Sequence, residues 1–329
     1  MYNFNILANK GNEVSAQKAM EILKKYCPDG NAALSSTSTL AKLLSWHLDS
    51  PVQPEEVLLH QADYASNCLV NFRDPGSVCV SDWNNVLKLG YDVQSLSYPD
   101  WLLRLLHNLE ISPKILPRII APGDIVGPVD PSLIEEWGLH ESCQVVAGTT
   151  DSIAAFLASG VNKPGQAVTS LGSTLAIKAL SSIPVEDSHR GIYSHRLGDQ
   201  WLVGGASNVG CAVLRSENFS DRELMDLSEA INPYEDSQLS YYPLVKPGER
   251  FPVNDPMKAP VLEPKPVMAG DESLVDRRAY LHGILQSIAR IEAEGYAALE
   301  ELGASPITEV QHGYICMCLS GRLCHSQSF

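Results

Sequence analysis

A short segment at residues 160–165, Gly-Val-Asn-Lys-Pro-Gly, separates two different sequence patterns. Before it, apolar residues recur every three or four positions, which is typical of amphipathic helices. After it, short runs rich in β-branched residues are punctuated by glycine turns, which is typical of hairpins. Glycine and proline interrupt both periodicities, so the segment is typical of a linker. The pattern therefore predicts two domains, residues 1–161 and 162–329.

The two halves together predict an α/β protein. On the N-terminal side the predicted helices cover residues 12–26, 38–48, 54–69, 98–109 and 152–159, with a buried strand at 145–147. On the C-terminal side the predicted strands cover residues 167–171, 174–180, 191–196 and 200–203, and a long helix covers 274–302. Five prolines between residues 113 and 131 predict loops around two short extended pieces.

Composition excludes several classes of protein. The chain has 329 residues, of which 44% are hydrophobic and 19% charged, so a packed core is expected and global disorder is not. The net charge of -15 repels phosphate backbones, which argues against a nucleic-acid partner. A single nucleotide is still compatible, because a local nest of backbone amides can bind phosphate. No signal peptide or apolar run of about 20 residues is visible, so no membrane partner is expected.

The eight cysteines are scattered along the chain and predict a reducing compartment. A zinc site formed by Cys316, Cys318, Cys324 and His325 is the alternative interpretation of the C-terminal cysteines. Their spacing does not match a Cys-x-x-Cys pair, so no metal ligand is assigned.

The junction Gly148-Thr149-Thr150-Asp151 is the first candidate site. It lies between a predicted strand and a predicted helix, where α/β proteins commonly bind ligands. A carboxylate at this position could accept a proton from a hydroxyl that attacks a phosphoryl group. Aspartate is also a common residue for capping a helix, so a purely structural role for Asp151 stays open.

The second candidate is the predicted hairpin turn at Gly172-Ser173-Thr174, where glycine permits close approach of a ligand and two hydroxyls can donate to phosphate oxygens. An ordinary hairpin turn is the alternative. A further glycine-rich stretch, residues 204–210, lacks the Gly-Lys-Ser/Thr of a P-loop and the complete Gly-x-Gly-x-x-Gly fingerprint.

The order of four segments resembles the FGGY family of carbohydrate kinases. Residues 116–161, LPRIIAPGDIVGPVDPSLIEEWGLHESCQVVAGTTDSIAAFLASGV, resemble the end of that family's first domain. PGQAVTSLGSTLAIKA at 164–179 resembles the hairpin that opens its second domain, and PLVKPGERFPVNDP at 243–256 and AYLHGIL at 279–285 resemble later family segments. Within the family, the sequence is most similar to plant and cyanobacterial pentulose kinases of the ribulose or xylulose type.

The resemblance implies roles for residues of the sugar site. Asp151 would be the catalytic general base, and Thr150 and Ser152 would line the sugar site on either side of it. Tyr2 lies where the family places an aromatic residue that packs on the substrate.

The resemblance also implies a nucleotide site and its cofactors, ATP and Mg²⁺. Gly172, Ser173 and Thr174 would meet the β- and γ-phosphates, and Gly210 would lie near the nucleotide.

The implied fold is a two-domain actin-like ATPase of the ribonuclease H-like type. Residues 1–161 would be the sugar-binding domain and 162–329 the ATP-side domain. The family's opening strand with its Asp-x-Gly-Thr/Ser loop, and its later glycine triplet, have no counterpart in the chain, and the tail at 311–329 is atypical. We therefore expect the fold to be incomplete at both ends. Glu249 and Arg250 are expected to be structural, as an ion pair in the second domain.

The resulting expectation is ATP-dependent phosphorylation of a sugar, with a ketopentose such as ribulose or xylulose as substrate. A catalytically silent sugar-binding or regulatory fragment is the alternative, and an actin-like ATPase without a sugar substrate is a third. The expected partners are a small sugar and ATP, in the cytoplasm or the plastid stroma. The oligomeric state stays open between a monomer and a homo-oligomer.

Overall fold

The computed structural model describes residues 4–8, 13–70, 79–187, 189–266 and 276–313. The chain divides into two compact units, Met1–Ala154 and Ala155–Phe329. We call them the N-terminal unit and the C-terminal unit.

The N-terminal unit is built mainly from short helices. They are α1 (Glu13–Tyr26), α2 (Thr39–Asp49), α3 (Gln61–Leu69), α4 (Asp100–Asn108) and α5 (Pro131–Trp137). The leucines on the inner faces of α2 and α4 are fully buried, as the helical spacing predicts: Leu40, Leu43, Leu44, Leu102, Leu105 and Leu106. The predicted helices at 12–26, 38–48 and 98–109 are confirmed within two residues at each end.

The predicted helix at 54–69 is wrong in its first half, because α3 begins only at Gln61. The side chain of Asp63 accepts a hydrogen bond of 3.0 Å from the backbone N–H of His60, which closes a capping box at that point. Upstream, the N–H of Leu58 donates to the carbonyl of Ile115 at 2.8 Å. This long-range bond holds the preceding residues outside the helix.

Two small two-stranded sheets complete the N-terminal unit. Strand β1 (Val80–Asp82) pairs in parallel with β2 (Arg118–Ile120), and β3 (Ile125–Pro128) pairs antiparallel with β4 (Gln144–Val146). The strand predicted at 145–147 therefore exists, but it is not fully buried. Val146 is 52% exposed, because a two-stranded sheet has only one covered face here. Helix α6 (Asp151–Leu157) follows, and the division between the units falls within it.

The C-terminal unit is organised around a five-stranded sheet. Its strands are β5 (Gln166–Leu171), β6 (Leu175–Ser181), β7 (Tyr193–Leu197), β8 (Gln200–Ser207) and β9 (Glu309–Gly313). Their spatial order is β7-β8-β6-β5-β9. Only β9 runs parallel to its neighbour β5, and the other pairs are antiparallel. Both predicted hairpins are confirmed, including the turn at Gly198, whose φ is 61°.

Strand β8 continues beyond its predicted end at residue 203, through Gly204 and Gly205 of the glycine-rich stretch. The reason is the buried ring of Phe251, which is 0% exposed and lies directly over Gly205. A side chain at Gly205 would collide with that ring, and so would one at Gly295 on α9 (Arg277–Glu301). The two glycines thus allow the ring of Phe251 to pack between the sheet and the long helix.

Three helices accompany this sheet. The long helix α9 confirms the prediction at 274–302 over the described residues, and Tyr280, Ile284 and Ile288 on it are buried in the unit's core. The shorter α7 (Ala212–Ser216) and α8 (Asp221–Glu229) were not predicted. Residues 73–77, Arg-Asp-Pro-Gly-Ser, whose composition is typical of a turn, lie outside the described residues. Among the described helices, none has both the length and the apolar character needed to cross a bilayer.

Candidate functional site

Asp151 is the first residue of α6, and its side chain is exposed. One carboxylate oxygen, Oδ1, accepts a hydrogen bond of 2.6 Å from the backbone N–H of Ser152. The carbonyl of Thr150 accepts the N–H groups of Ile153 at 3.1 Å and Ala154 at 3.0 Å. The helical hydrogen bonds of α6 therefore begin at Thr150, one residue before Asp151. The carboxylate thus stands at the positive end of a helix and is accessible to a ligand.

The loop before Asp151 is tied to a turn that follows β1. The side-chain Nδ2 of Asn84 donates to Thr149 Oγ1 at 3.0 Å. Asn84 is itself held by Asp82, whose Oδ1 accepts the backbone N–H groups of Asn84 at 2.9 Å and Asn85 at 3.2 Å. Sequence reasoning missed these residues. The string Asp-Trp-Asn-Asn after a short strand is the signal that could have found them, because aspartate and asparagine favour such turns.

Asp82 is only 2% exposed. Burial raises the pKa of its carboxyl group, the hydrogen bonds from Asn85 and Asn84 act in the opposite direction, and the nearby Asp63 raises the pKa further. The turn that supports the candidate loop therefore contains a carboxylate that is costly to ionise.

Three buried polar atoms around this loop have no hydrogen-bond partner among the described residues: Ser81 Oγ, Asn84 Oδ1 and Thr150 Oγ1. Ser81 and Asn84 are 3% and 4% exposed. Ser81 also lines a cavity of about 20 Å³, together with Asp82 and Gly148, whereas Asn84 and Thr150 do not line it. This cavity has room for about one water molecule. Buried polar groups are normally paired, so this part of the N-terminal unit is suited to bind a small polar group.

A wider, open cavity of about 680 Å³ lies elsewhere in the N-terminal unit, beside His60 and Tyr64. None of the predicted site residues lines it. Both ring nitrogens of His60 are within hydrogen-bond distance of protein groups, Asp63 Oδ2 at 3.0 Å and Thr39 Oγ1 at 2.9 Å. The histidine therefore acts as part of the start of α3.

In the C-terminal unit, the predicted turn at Gly172-Ser173-Thr174 joins β5 to β6. The side chains of Ser173 and Thr174 are exposed. Gly210 packs against the turn, and a Cβ atom there would lie 2.6 Å from Thr174 Cα and 2.7 Å from Ser173 O. The N–H of Cys211 donates to the carbonyl of Gly172 at 2.8 Å. The structure thus brings together two pieces that are far apart in the sequence.

Glu249 is 2% exposed, and among the described residues no ion pair joins it to Arg250. The expected ion pair is therefore wrong. The carboxylate instead accepts the backbone N–H of Arg250 at 2.8 Å, together with three groups from Ser207, Asn208 and Tyr242. Donors of this kind satisfy a buried carboxylate without a second charge.

Other predicted ligands lie outside the part of the chain that the structure describes. These are Tyr2 and the alternative zinc ligands Cys316, Cys318, Cys324 and His325. Within the described residues, no group of three or more His, Cys, Asp or Glu side chains could hold a metal ion.

Comparison with known proteins adds sequence relatives. No family model matches the chain. The chain is 24% identical to gluconokinase from Bacillus subtilis (strain 168) over 228 residues, which cover 64% of this chain and 43% of the relative. It is 26% identical to xylulose kinase from Staphylococcus xylosus over 168 residues, which cover 49% of this chain and 35% of the relative.

A solved structure shows the same fold. The chain superposes on a xylulose kinase from Brucella ovis with a TM-score of 0.72 and 20% identity, over 91% of this chain and 60% of that one. The chain is therefore similar in sequence and in fold to the FGGY carbohydrate kinases. The FGGY resemblance and the α/β, actin-like ATPase fold class are thereby confirmed.

The chain spans less than half the length of these two curated relatives, 43% and 35%. The roles of Asp151, of its two neighbours and of the turn in the C-terminal unit stay predictions, as does the domain division at residue 161. The cellular compartment and the oligomeric state also stay predictions.

Proposed function

We propose that this chain phosphorylates a sugar with ATP and that Asp151 is the general base. The observation that carries the proposal is the exposed carboxylate of Asp151 at the N-terminus of α6, in a chain related to a gluconokinase and a xylulose kinase. Sugar kinases need a base that accepts the proton of the attacking hydroxyl. Within the described residues, the hydrogen bond from the Ser152 N–H engages Oδ1 of Asp151, which leaves Oδ2 to accept that proton.

The residues on either side of Asp151 suit a polyhydroxylated substrate. Thr150 Oγ1 is buried and has no partner among the described residues, so a sugar hydroxyl could supply the missing hydrogen bond. Ser152 is exposed and follows the base directly. In this proposal both side chains orient the substrate, while Asn84 fixes Thr149 and thereby the loop.

ATP would be the second substrate, bound by the C-terminal unit at Gly172, Ser173, Thr174 and Gly210. The fit rests on the close approach of Gly210 to the turn, which leaves no room for a side chain, and on the exposed hydroxyls of Ser173 and Thr174. Hydroxyls and backbone amides of such a turn can donate to phosphate oxygens. Among the described residues, no group of three or more His, Cys, Asp or Glu side chains could hold Mg²⁺ without the phosphates of ATP.

We propose a ketopentose, ribulose or xylulose, as the sugar, because the sequence segments resemble those of pentulose kinases and a xylulose kinase is among the relatives. The named relatives act on two sugar classes, gluconate and xylulose, so gluconate is the competing substrate to be compared directly.

The test is ADP release by the 329-residue chain in a coupled assay, with ATP, Mg²⁺ and a panel of ribulose, xylulose, gluconate and glycerol. The variant Asp151→Asn keeps the size of the side chain and removes its basicity. We expect it to lower kcat by roughly 10²–10⁴-fold, the usual contribution of a positioned base. The matched control is Asp130→Asn. Asp130 also stands at the start of a helix, where its side chain accepts the N–H of Ser132 at 2.8 Å.

Equal loss of activity in Asp151→Asn and Asp130→Asn would mean that Asp151 only caps the helix. Full activity of Asp151→Asn would show that Asp151 is not the base. Absence of turnover from a folded protein that a pentulose still stabilises against heat would favour the silent sugar-binding alternative. Absence of both effects for every sugar of the panel would contradict the proposal.

A further inference from the structure

Glu249 is a buried carboxylate that the proposed reaction does not use. Its Oε2 accepts Ser207 Oγ–H at 2.7 Å and Tyr242 Oη–H at 3.1 Å. Its Oε1 accepts the backbone N–H groups of Asn208 at 2.7 Å and Arg250 at 2.8 Å. Four donors for one carboxylate make this a complete hydrogen-bond set, which is unusual for a residue that only fills space.

These bonds hold the end of β8 and the chain that follows it. The hydroxyl of Ser207 also accepts the backbone N–H of Val209 at 2.9 Å, and the side chain of Asn208 donates to the carbonyl of Gly248 at 3.0 Å. Hydrogen bonds to Glu249 and to Gly248, the residue before it, therefore fix the backbone from Ser207 to Val209.

The same backbone segment supports the turn Gly172-Ser173-Thr174. The N–H of Leu175, the first residue of β6, donates to the carbonyl of Val209 at 2.7 Å. The N–H of Cys211 donates to the carbonyl of Gly172 at 2.8 Å, and Gly210 packs against the backbone of Thr174 between them. A displacement of residues 207–209 would thus be transmitted directly to the turn.

We propose that Glu249 is a positioning residue that sets the conformation of the turn Gly172-Ser173-Thr174 through Ser207–Val209. The expected effect on phosphate binding rests on the proposed function. The hydrogen-bonded connection between Glu249 and the turn does not. The carboxylate reaches the turn only through Ser207–Val209, because the carbonyl of Val209 accepts the N–H of Leu175, the residue that follows the turn.

The chemistry of Glu249→Gln makes it the conservative variant. Its Oε1 can still accept both backbone N–H groups, and its NH₂ can donate to the hydroxyls of Ser207 and Tyr242, since a hydroxyl can accept as well as donate. Glu249→Ala removes all four acceptor contacts and leaves the backbone amides of Asn208 and Arg250 without this acceptor. Tyr242→Phe removes only one donor and is the mild variant.

Hydrogen–deuterium exchange resolved by NMR gives a readout that needs no ligand. In Glu249→Ala we expect the amides of Leu175, Val209 and Cys211 to exchange about tenfold faster or more, the equivalent of about 1.4 kcal/mol in local opening. The amide of Ala179, further along β6, should change less than about twofold. Glu249→Gln should restore slow exchange, and Tyr242→Phe should fall between the two.

The matched control is Ser194→Ala. Ser194 is 2% exposed, and its hydroxyl donates to Val185 O at 2.7 Å and accepts Val185 N–H at 2.9 Å in the same unit. We expect this variant to accelerate exchange near Val185 and not at Leu175 or Cys211. Calorimetric titration with ADP should show at least about tenfold weaker binding in Glu249→Ala and less than about twofold change in Ser194→Ala.

Unchanged exchange at Leu175 and Cys211 in Glu249→Ala would overturn the inference, and so would uniform acceleration that includes Ala179. If Glu249→Ala does not fold, the exchange rates of the same amides are compared between Glu249→Gln and Tyr242→Phe, and equal rates in the two variants would overturn the inference. If the wild-type chain binds no ADP, the proposed function fails, while the exchange data still decide whether Glu249 positions the turn.

Discussion

Asn84 donates its side-chain Nδ2–H to Thr149 Oγ1 over 3.0 Å, although 65 residues separate the two in the chain. Thr149 stands two residues before Asp151, and Asn84 is only 4% exposed. The candidate base is thus held by a loop whose position depends on a turn after β1, and not only by the helix that it starts.

Replacing Asn84 by alanine should loosen this loop. Loss of the bond leaves Thr149 Oγ1 unpaired and should cost about 1–3 kcal/mol of local stability. We expect faster hydrogen exchange at the amides of Ile153 and Ala154, which both bond to the carbonyl of Thr150. If Asp151 is the base, kcat should fall more than the KM for the sugar changes.

The control for this substitution is Asn108→Ala. Asn108 also uses its side-chain Nδ2, which donates to Tyr26 Oη at 2.9 Å on an exposed part of the N-terminal unit. It should leave exchange at Ile153 unchanged. Equal effects of both substitutions on that amide would show that Asn84 has no particular connection to the loop.

A methyl group at Gly210 should disturb the turn Gly172-Ser173-Thr174. Its Cβ would lie 2.6 Å from Thr174 Cα, which is backbone and cannot rotate away. We expect Gly210→Ala to destabilise the C-terminal unit by roughly 1–3 kcal/mol in urea unfolding. Gly127→Ala is the control, since its Cβ would meet only the side chain of Val70 at 3.4 Å. A Gly210→Ala variant as stable as Gly127→Ala would contradict the close packing at this turn.

Asp82 should make the N-terminal unit less stable as pH rises. Its folded-state pKa is raised by burial, so between the ordinary aspartate pKa and the raised value the folded chain holds a proton that the unfolded chain has lost. Stability from this group is therefore present at low pH and declines as pH increases through the folded pKa.

The measurement is urea unfolding of wild-type protein and Asp82→Asn between pH 4 and pH 7.5. The asparagine keeps Oδ1 as acceptor for the N–H groups of Asn84 and Asn85. We expect the free energy of unfolding of the wild type, relative to the variant, to decrease with pH. A relative free energy that increases with pH would mean that Asp82 is stabilised as a carboxylate.

Phe251 should be among the most sensitive core positions of the C-terminal unit. It is 0% exposed and seats over Gly205 and Gly295. Truncation to alanine should cost about 3–5 kcal/mol, the usual range for a buried phenylalanine. Thermal unfolding of Phe251→Ala beside Tyr234→Ala gives the comparison, since Tyr234 is 94% exposed. Equal melting temperatures would contradict the packing that lets β8 run through two glycines.

The sequence by itself determined the elements whose cause is local. Helical spacing places the leucines of α2 and α4 on one face, and Gly172 and Gly198 mark the two hairpins, because these signals depend on residues a few positions apart. The family resemblance rested on segments of the same kind, read in their order along the chain. It also singled out Asp151, whose role no local pattern can separate from helix capping.

Only the tertiary structure decided the contacts between distant segments. The parallel pairing of β9 with β5 joins Gln166 to Glu309, and no periodicity within either strand specifies that partner. The link from Asn84 to Thr149, and the four hydrogen bonds of Glu249, depend equally on packing of the whole unit. A buried polar group must find a partner, but the sequence does not say which one, because the partner is chosen by how the unit folds around it.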